Sequence, residues 1–341
     1  MSGPGERANG PDGRARGPAL PEAQGARPVL AIVGPTAVGK TAVAVAVCQA
    51  LGGEVVSLDS RQMVRELDAG TAKPTPEERA AAPHHLVDFA APDAPLSLAS
   101  VQRLAHAAIE DVRGRGALPV VVGGTGQYVW AVLEGWRVPE VPPNASLRTA
   151  LATYAAEHGV AALHARLDAV DPASAAAIDA RNVRRVIRAL EVHAALGVPM
   201  SAARGRRVPP WPVAILGLTR PRPALFARID ARIDAMLAAG LETEVRALVA
   251  RGYGFVLPAL SSVGYREWRP YLAGEVDRDA VVKRIRQSTR RLARNQDTWF
   301  RRDDPRIRWV DLEAVALEDV VAEAERLVRA IEAAGAAARG P

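Results

Sequence analysis

The segment at residues 34–41 (GPTAVGKT) constrains the fold of this chain more than any other. It follows an apolar run at residues 29–33 and precedes a stretch of small and apolar residues at 42–51. The pattern G-x-x-x-x-G-K-[ST] binds phosphate when it forms the turn between a strand and a helix. Its glycines let the backbone N–H groups point inward, at the positive end of the helix. Lys40 adds a mobile charge for phosphate oxygens, and Thr41 adds a hydroxyl for Mg²⁺. The segment therefore predicts a P-loop, although it does not identify the phosphate compound.

Length, charge and cysteine content set wider limits. A chain of 341 residues can form a main domain and a smaller second one. The net charge of +6 is compatible with a polyanionic partner, but an arginine- and alanine-rich composition accounts for it equally well. Cys48 is the one cysteine, which excludes an intrachain disulfide and fits a reducing, cytoplasmic location. We find no apolar run that could span a bilayer and no signal-peptide segment, so we expect no membrane partner. Nothing in the sequence suggests an extended partner helix, and we expect a monomer.

The order of apolar segments predicts a doubly wound parallel α/β sheet of the P-loop NTPase kind. After the P-loop, residues 54–58 (EVVSL) indicate a strand, residues 97–113 an amphipathic helix capped by Ser97 or Ser100, and residues 118–122 (LPVVV) a second buried strand. The first of these strands ends at Asp59. A carboxylate at the carboxyl end of a parallel strand, beside a phosphate loop, lies where open α/β sheets place their chemistry.

Proline-rich hinges divide the chain further. Residues 1–27 contain almost no large apolar side chain and are predicted to be a disordered leader. Prolines cluster at residues 138–144, and residues 139–204 then read as a small all-α insertion domain with several arginines. The core, residues 28–138 and 205–334, resumes with a strand at 213–218, helices at 222–251 and 281–302, a strand at 308–312 and a terminal helix at 317–334.

A histidine pair, His84 and His85, precedes Asp88 and invites a metal-site interpretation. There is no cysteine nearby and no third ligand at a usual spacing. Structural or substrate-loop histidines are therefore the favoured interpretation.

The polar residues at the strand ends restrict the chemistry. A nucleotide kinase or GTPase usually has an acid for the metal at the end of a later strand, whereas here that strand ends in Gly123, Gly124 and Thr125. The acid is Asp59 instead, so the site could hold a diphosphate leaving group while Asp59 accepts a proton. Two alternatives stay open: an ATP-dependent P-loop kinase in which Asp59 activates a hydroxyl, and a non-catalytic RNA-binding protein whose P-loop only holds a nucleotide.

Eight short motifs occur in a fixed order, and together they closely resemble the tRNA dimethylallyltransferases, also called tRNA isopentenyltransferases. They are GPTAVGKT at Gly34, DSRQ at Asp59, GTAKP at Gly70, PHHLVD at Pro83, VVGGTGQY at Val121, RVIRALEV at Arg185, SVGYRE at Ser262 and NQDTWF at Asn295. The resemblance covers residues 29–312. It implies transfer of the dimethylallyl group from dimethylallyl diphosphate to the exocyclic N6 amine of the adenosine 3′ of the anticodon in tRNA.

The resemblance also implies roles for individual residues. Asp59 corresponds to the general base, Thr125 lies near the diphosphate and the accepting amine, and Lys40 and Arg232 neutralise the leaving group. Mg²⁺ is the implied cofactor, with Thr41 as its ligand. The implied diphosphate-binding set consists of Gly34, Thr36, Ala37, Val38, Gly39, Lys40 and Thr41.

The tRNA anticodon stem-loop is the implied partner, held by arginines of the insertion domain and of the core. The target base would leave the loop stack to reach the pocket, at a cost of a few kcal/mol. Two residues depart from the family pattern. Val64 stands where the family commonly has tyrosine, so we expect a stacking or hydroxyl contact to be absent, and Asn295 stands where it often has arginine or lysine, so we expect one phosphate contact fewer. The implied tRNA-binding set consists of Asp59, Ser60, Arg61, Gln62, Arg184, Arg185, Arg188, Ser262, Val263, Gly264, Tyr265, Arg266, Arg294 and Gln296, with Arg290 and Arg291 as further candidates.

Overall fold

The structure is a computed structural model that describes residues 27–337, so the predicted leader lies outside the described residues except for Arg27. The strands are β1 (Val29–Val33), β2 (Gly53–Ser57), β3 (His84–His85), β4 (Leu118–Gly123), β5 (Trp136–Arg137), β6 (Gly205–Arg206), β7 (Val213–Thr219) and β8 (Ile307–Asp311). The first seven helices are α1 (Lys40–Leu51), α2 (Pro76–Ala81), α3 (Leu98–Gly114), α4 (Gly126–Leu133), α5 (Ala145–His158), α6 (Val160–Val170) and α7 (Pro172–Ala177). The others are α8 (Val183–Leu196), α9 (Met200–Ala203), α10 (Arg222–Ala238), α11 (Leu241–Ala250), α12 (Arg269–Leu272), α13 (Arg278–Asp297) and α14 (Leu317–Ala337), with a 3₁₀ turn at Arg266–Trp268.

The larger unit, residues 27–133 and 209–337, is built on a six-stranded parallel sheet in the order β3-β2-β4-β1-β7-β8. Every residue of β1 is buried, because β4 and β7 pair with it on both sides and helices cover both faces. This pattern of continuous apolar strands is typical of parallel sheets. The prediction of a doubly wound parallel α/β sheet is confirmed.

The smaller unit, Glu134–Val208, contains helices α5 to α9 and the antiparallel pair β5-β6. It begins five residues before and ends four residues after the bounds predicted for the insertion. Its core contains Leu163, Leu167 and Val186, all without exposed surface. The carboxylate of Glu191 is buried in this unit and accepts two hydrogen bonds from the Arg148 guanidinium, each at 2.8 Å. Burial acts to raise the pKa of Glu191, but these and other hydrogen bonds lower it to about 2.

Local signals placed most elements correctly, and one prediction was wrong. Ser97 caps α3 by accepting a hydrogen bond from the Ser100 N–H at 3.0 Å, as predicted. The helix predicted at residues 222–251 is instead two helices, α10 and α11. The chain turns at Gly240, which has φ 93°, a left-handed conformation that glycine adopts without steric cost. In the described part of the chain, no helix has both the length and the apolar content needed to cross a membrane.

Candidate active site

A cavity of about 570 Å³ opens at the carboxyl edge of the sheet in the larger unit. The loops after β1, β2 and β4 form one side of it, and α10 and α13 form the other. The crevice beyond the carboxyl ends of parallel strands is the usual ligand site of open α/β sheets. The volume lies within the range of small-molecule sites.

The loop after β1 has the backbone of a phosphate cradle. Gly34, Ala37 and Gly39 have φ values of 147°, 63° and 115°, so the chain curls tightly before α1. A Cβ at Gly34 would lie 2.5 Å from the Leu218 carbonyl oxygen, which excludes any larger residue there. Val38 contributes backbone only, because its side chain is fully buried in the core. The remaining members of the predicted diphosphate-binding set, Thr36 and Thr41, line the cavity.

Lys40 is the cation inside this loop. Its Nζ donates hydrogen bonds to the carbonyl oxygens of Gly34 at 3.0 Å and Pro35 at 2.8 Å. Burial lowers the pKa of Lys40 to about 8, an effect that Asp59 opposes and Arg232 reinforces. A buried ammonium with few anionic neighbours is a group prepared to receive an anionic ligand.

A second cation comes from α10. Arg232 lines the cavity and donates to the Thr71 carbonyl oxygen at 3.0 Å, and burial lowers the pKa of its guanidinium against the opposing effect of Asp59. One turn earlier, Arg228 donates from Nε to the Ala37 carbonyl oxygen at 3.1 Å. Both arginines therefore leave α10 on the side of the phosphate loop, as their spacing of four residues predicts.

Asp59 follows β2 at the same edge. Its Oδ1 accepts a hydrogen bond from the Arg61 N–H at 2.9 Å, and this is the side chain's one hydrogen bond within residues 27–337. Oδ2 is therefore available to accept a proton from a ligand. Thr125 follows β4, lines the cavity and begins the turn into α4, where its carbonyl oxygen accepts from the Tyr128 N–H at 2.9 Å.

The residues predicted to bind tRNA fall into three groups. The first group lines the cavity and consists of Asp59, Ser60, Arg61, Gln62, Ser262, Val263, Gly264 and Gln296. Of these, Arg61 donates to the Pro258 carbonyl oxygen at 2.7 Å, and burial lowers the pKa of its guanidinium. Gln62 donates to the Ala72 carbonyl oxygen at 2.9 Å. These two side chains therefore also hold the loops that surround Asp59.

The second group is exposed and consists of Arg184, Arg266 and Arg294. Arg184 and Arg294 form no ion pair within the described residues, whereas Arg266 contacts Glu267 at 3.0 Å. The third group is wholly or partly buried. Arg188 pairs with the buried Glu191 at 2.5 Å, and Arg185 is half-buried.

Tyr265, predicted to touch tRNA, has no exposed surface, so its predicted contact is not available in this structure. Its hydroxyl donates to Glu244 at 2.6 Å, and a Cβ on Gly70 would meet that hydroxyl at 2.5 Å. Glu244 also accepts from the backbone N–H groups of residues 68–70. Tyr265 therefore fastens the loop that carries Thr71, the partner of Arg232.

Other sequence interpretations have equally clear outcomes. Within residues 27–337, no group of three or more histidine, cysteine, aspartate or glutamate side chains could hold a metal ion. His84 contacts the Ala82 carbonyl oxygen at 2.7 Å and His85 contacts Glu54 at 2.6 Å, so both imidazole rings have partners within the protein. Val64 is buried in the core, whereas Asn295 is exposed at the cavity.

The sequence reasoning missed one wall of the cavity. Apolar side chains of α10 and α13 line it, namely Ile229, Ile233, Met236, Ile285 and Leu292. The amphipathic pattern of α10 places its apolar residues on the face that points into the protein. The sequence pattern is the same whether this face packs on other side chains or lines a cavity. Only the fold distinguishes the two.

Comparison with known proteins identifies the family of this chain. The IPP transferase family matches residues 62–303, and the isopentenyl transferase family matches residues 27–84. The tRNA dimethylallyltransferase of Roseiflexus sp. is 55% identical over 275 residues, which is 81% of this chain and 90% of that protein. That of Roseiflexus castenholzii is 53% identical over 302 residues, covering 89% and 97% of the two chains.

Solved structures give the same result. The tRNA isopentenylpyrophosphate transferase of Bacillus halodurans superposes with a TM-score of 0.69 at 36% identity, covering 92% of this chain and all of that one. A eukaryotic dimethylallyltransferase, captured acting on tRNA, superposes with a TM-score of 0.73 at 25% identity, covering 89% and 77%. This chain belongs to the tRNA dimethylallyltransferase family, the IPP transferases, whose members are prenyltransferases that act on tRNA.

Proposed function

We propose that this protein transfers the dimethylallyl group from dimethylallyl diphosphate to the exocyclic N6 amine of the adenosine 3′ of the anticodon in tRNA. In this reaction the bond from the allylic carbon to the diphosphate oxygen breaks, a carbon–nitrogen bond forms, and the amine loses a proton. The site must therefore stabilise a leaving anion on one side of the carbon and accept a proton on the other.

The order of strands at the carboxyl edge is the observation that carries the proposal. Neighbouring strands β2, β4 and β1 end at Asp59, at the loop that contains Thr125, and at the phosphate loop. Strands in a sheet are spaced by about 4.8 Å, so the strands that precede the acid and the phosphate loop are roughly 10 Å apart, with the strand that precedes Thr125 between them. This spacing suits a reacting carbon and amine placed between a leaving diphosphate and a base.

The diphosphate side is built for charge. The backbone N–H groups of residues 39–41, at the positive end of α1, favour an anion, and Lys40 and Arg232 add two buried cations. Such groups, fixed before the reaction, stabilise charge as it develops on the leaving oxygen. Contact with the diphosphate would also restore the full charge of Lys40, because an anion raises the pKa of a neighbouring ammonium.

A Mg²⁺ ion fits this loop, because two of its residues that line the cavity, Thr36 and Thr41, offer hydroxyl oxygens, which are hard ligands. We propose Thr41 as its protein ligand. When bound, Mg²⁺ supplies further positive charge to the diphosphate oxygens.

On the other side of the cavity, Asp59 would accept the proton of the adenine amine. An adenine amine is a weak nucleophile because its lone pair is delocalised into the ring, so removing its proton as the new bond forms lowers the barrier. Asp59 presents one carboxylate oxygen that is free of hydrogen bonds within the described residues, while the Arg61 N–H holds the other and fixes its orientation. Thr125, between the two sides, is placed to orient the amine or a diphosphate oxygen.

The apolar wall suits the five-carbon group. Ile233, Met236 and Ile285 line the same cavity as Arg228 and Arg232, so an isoprenoid chain would leave water as its diphosphate enters the cradle. The tRNA would approach through its anticodon stem-loop, whose phosphates match the exposed Arg184, Arg266 and Arg294.

The decisive experiment incubates the pure protein with unfractionated tRNA and radiolabelled dimethylallyl diphosphate, followed by nucleoside analysis. We expect label on N6 of adenosine, and we expect ATP to give no labelled product. Phosphate transfer from ATP, with no use of the five-carbon donor, would refute the proposal.

A further inference from the structure

Gln296 reaches from the end of α13 into the gap between the two loops that form the reacting site. Its Oε1 accepts a hydrogen bond from the Thr36 N–H at 2.8 Å, and its Nε2 donates to the Gly124 carbonyl oxygen at 2.9 Å. These partners are 260 and 172 residues away in the chain. One side-chain amide thus contacts both the phosphate loop and the loop that carries Thr125.

The position of this amide matters because the sheet no longer joins the two loops there. The register of β1 and β4 ends at the pair Val33 and Gly123. Beyond that pair, the described residues form no backbone hydrogen bond between the phosphate loop and the Gly124 loop. A glutamine side chain ends in an amide, as each backbone unit does. It can therefore donate a hydrogen bond to one loop and accept one from the other, and so join them as backbone hydrogen bonds join two strands.

Neighbouring contacts fix the end of α13 over the same loop. The Trp130 Nε1 donates to the Trp299 carbonyl oxygen at 2.9 Å. A Cβ on Gly126 would lie 2.3 Å from the Trp299 Cβ, and a Cβ on Gly124 would lie 2.5 Å from the Gln296 Nε2. Glycine is therefore required at residue 126 for this close approach, which brings Gln296 within reach, whereas a side chain at residue 124 would displace the flexible Gln296 amide.

We propose that Gln296 is a positioning residue that sets the distance between the diphosphate cradle and Thr125, rather than a contact to tRNA. This inference rests on the proposed function, since the distance matters for a transfer between groups held on these two loops. Displacement of a reacting group by about 1 Å can cost on the order of a hundredfold in rate. The expected signature is a fall in kcat with little change in the affinity for tRNA.

The test uses Gln296→Met, which keeps the length of the side chain and removes both hydrogen bonds, with Gln287→Met as the matched control. Gln287 is exposed on the same helix and forms no hydrogen bond within the described residues. We expect Gln296→Met to lower kcat for prenyl transfer by roughly tenfold to a hundredfold. The Kd for tRNA should stay within about twofold of the unmodified protein, and Gln287→Met should change neither.

A double-variant cycle separates positioning from a general loss of stability. If Gln296 acts through the placement of Thr125, its loss should matter little once the Thr125 hydroxyl is gone. The pair Gln296→Met and Thr125→Val should therefore react about as slowly as Thr125→Val alone, whereas independent effects would multiply. Gly124→Ala would place a methyl group against the Gln296 amide and displace it. This substitution should therefore lower kcat as Gln296→Met does.

Hydrogen exchange gives a readout that needs no substrate. Gln296→Met should speed the amide exchange of peptides covering residues 34–41 and 123–128, while the peptide covering residues 317–334 should be unchanged. A protein that transfers no prenyl group would refute the proposed function but leave this exchange test valid. Unchanged exchange in both loops, or a weaker Kd for tRNA with an unaltered kcat, would overturn the positioning role.

Discussion

Lys40 makes a quantitative prediction about the pH dependence of diphosphate binding. Burial gives its ammonium a pKa of about 8 in the unliganded protein, well below the ordinary value of 10.5. About nine-tenths of the molecules therefore carry the charge at pH 7, and about one-tenth carry it at pH 9. If only the charged form binds well, the affinity for dimethylallyl diphosphate falls by about tenfold between these two values.

The same argument fixes the direction of proton movement. A bound diphosphate raises the pKa of Lys40, so binding at pH 9 takes up protons, approaching 0.9 per site, whereas binding at pH 7 takes up about 0.1. Titration calorimetry in two buffers with different ionisation enthalpies measures this number directly. The measurement needs no tRNA, because the donor binds on the cradle side of the site, and the free Mg²⁺ concentration is held constant.

Lys40→Arg is the matched control. Its guanidinium stays charged throughout this range, so its affinity should be nearly independent of pH even if it is weaker overall. A flat pH profile for the unmodified protein, or an equal slope in Lys40→Arg, would show that another group titrates and that the cradle does not depend on this ammonium.

Three further predictions concern the base, the RNA surface and the loop support. Asp59→Asn should lower the single-turnover rate of prenyl transfer by about a hundredfold or more with tRNA affinity unchanged in filter binding; an unchanged rate would eliminate it as the base. Arg184→Ala should weaken tRNA binding and reduce the slope of log K against log salt by about one, whereas Arg329→Ala, an equal loss of charge at an arginine paired with a glutamate, should not; equal slopes in all three proteins would remove Arg184 from the RNA surface. Tyr265→Phe should reduce the free energy of unfolding in urea by about 1 kcal/mol, because it removes the buried hydrogen bond to Glu244; unaltered stability would contradict that contact's role.

The sheet could be predicted from the sequence because local pattern and burial agree there. The runs at residues 29–33, 118–122 and 213–218 are apolar throughout, as strands buried on both faces must be. The cradle could be predicted for a related reason. Its glycines, its lysine and the start of its helix are consecutive in the sequence, so residues that act together in the structure are also neighbours in the chain. Asp59 and Thr125 followed from the rule that parallel strands end at a common edge.

The remaining details depend on contacts between distant segments. Gln296 lies on a helix whose pattern does not reveal that its amide meets residues 36 and 124. Tyr265 occurs in a loop motif that suggests exposure, yet its hydroxyl is buried against Glu244. Gly240 ends a helix although its neighbours favour continuation, since one glycine in a helical pattern is ambiguous until φ is known.

The position of the acid explains how a phosphate-binding fold can serve this transfer. A carboxylate at the end of β4 would lie directly beside β1, about 5 Å from the phosphate loop, where it would hold a cation against the phosphates. In this chain β4 ends in Gly123, and the acid follows β2, one strand further away. In the proposed reaction, the extra strand width would leave room for the reacting carbon and the amine between the cradle and Asp59. Gln296 joins the loops after β1 and β4, where the sheet has ended. The proposed function therefore depends on the separation of cradle and acid as well as on the cradle itself.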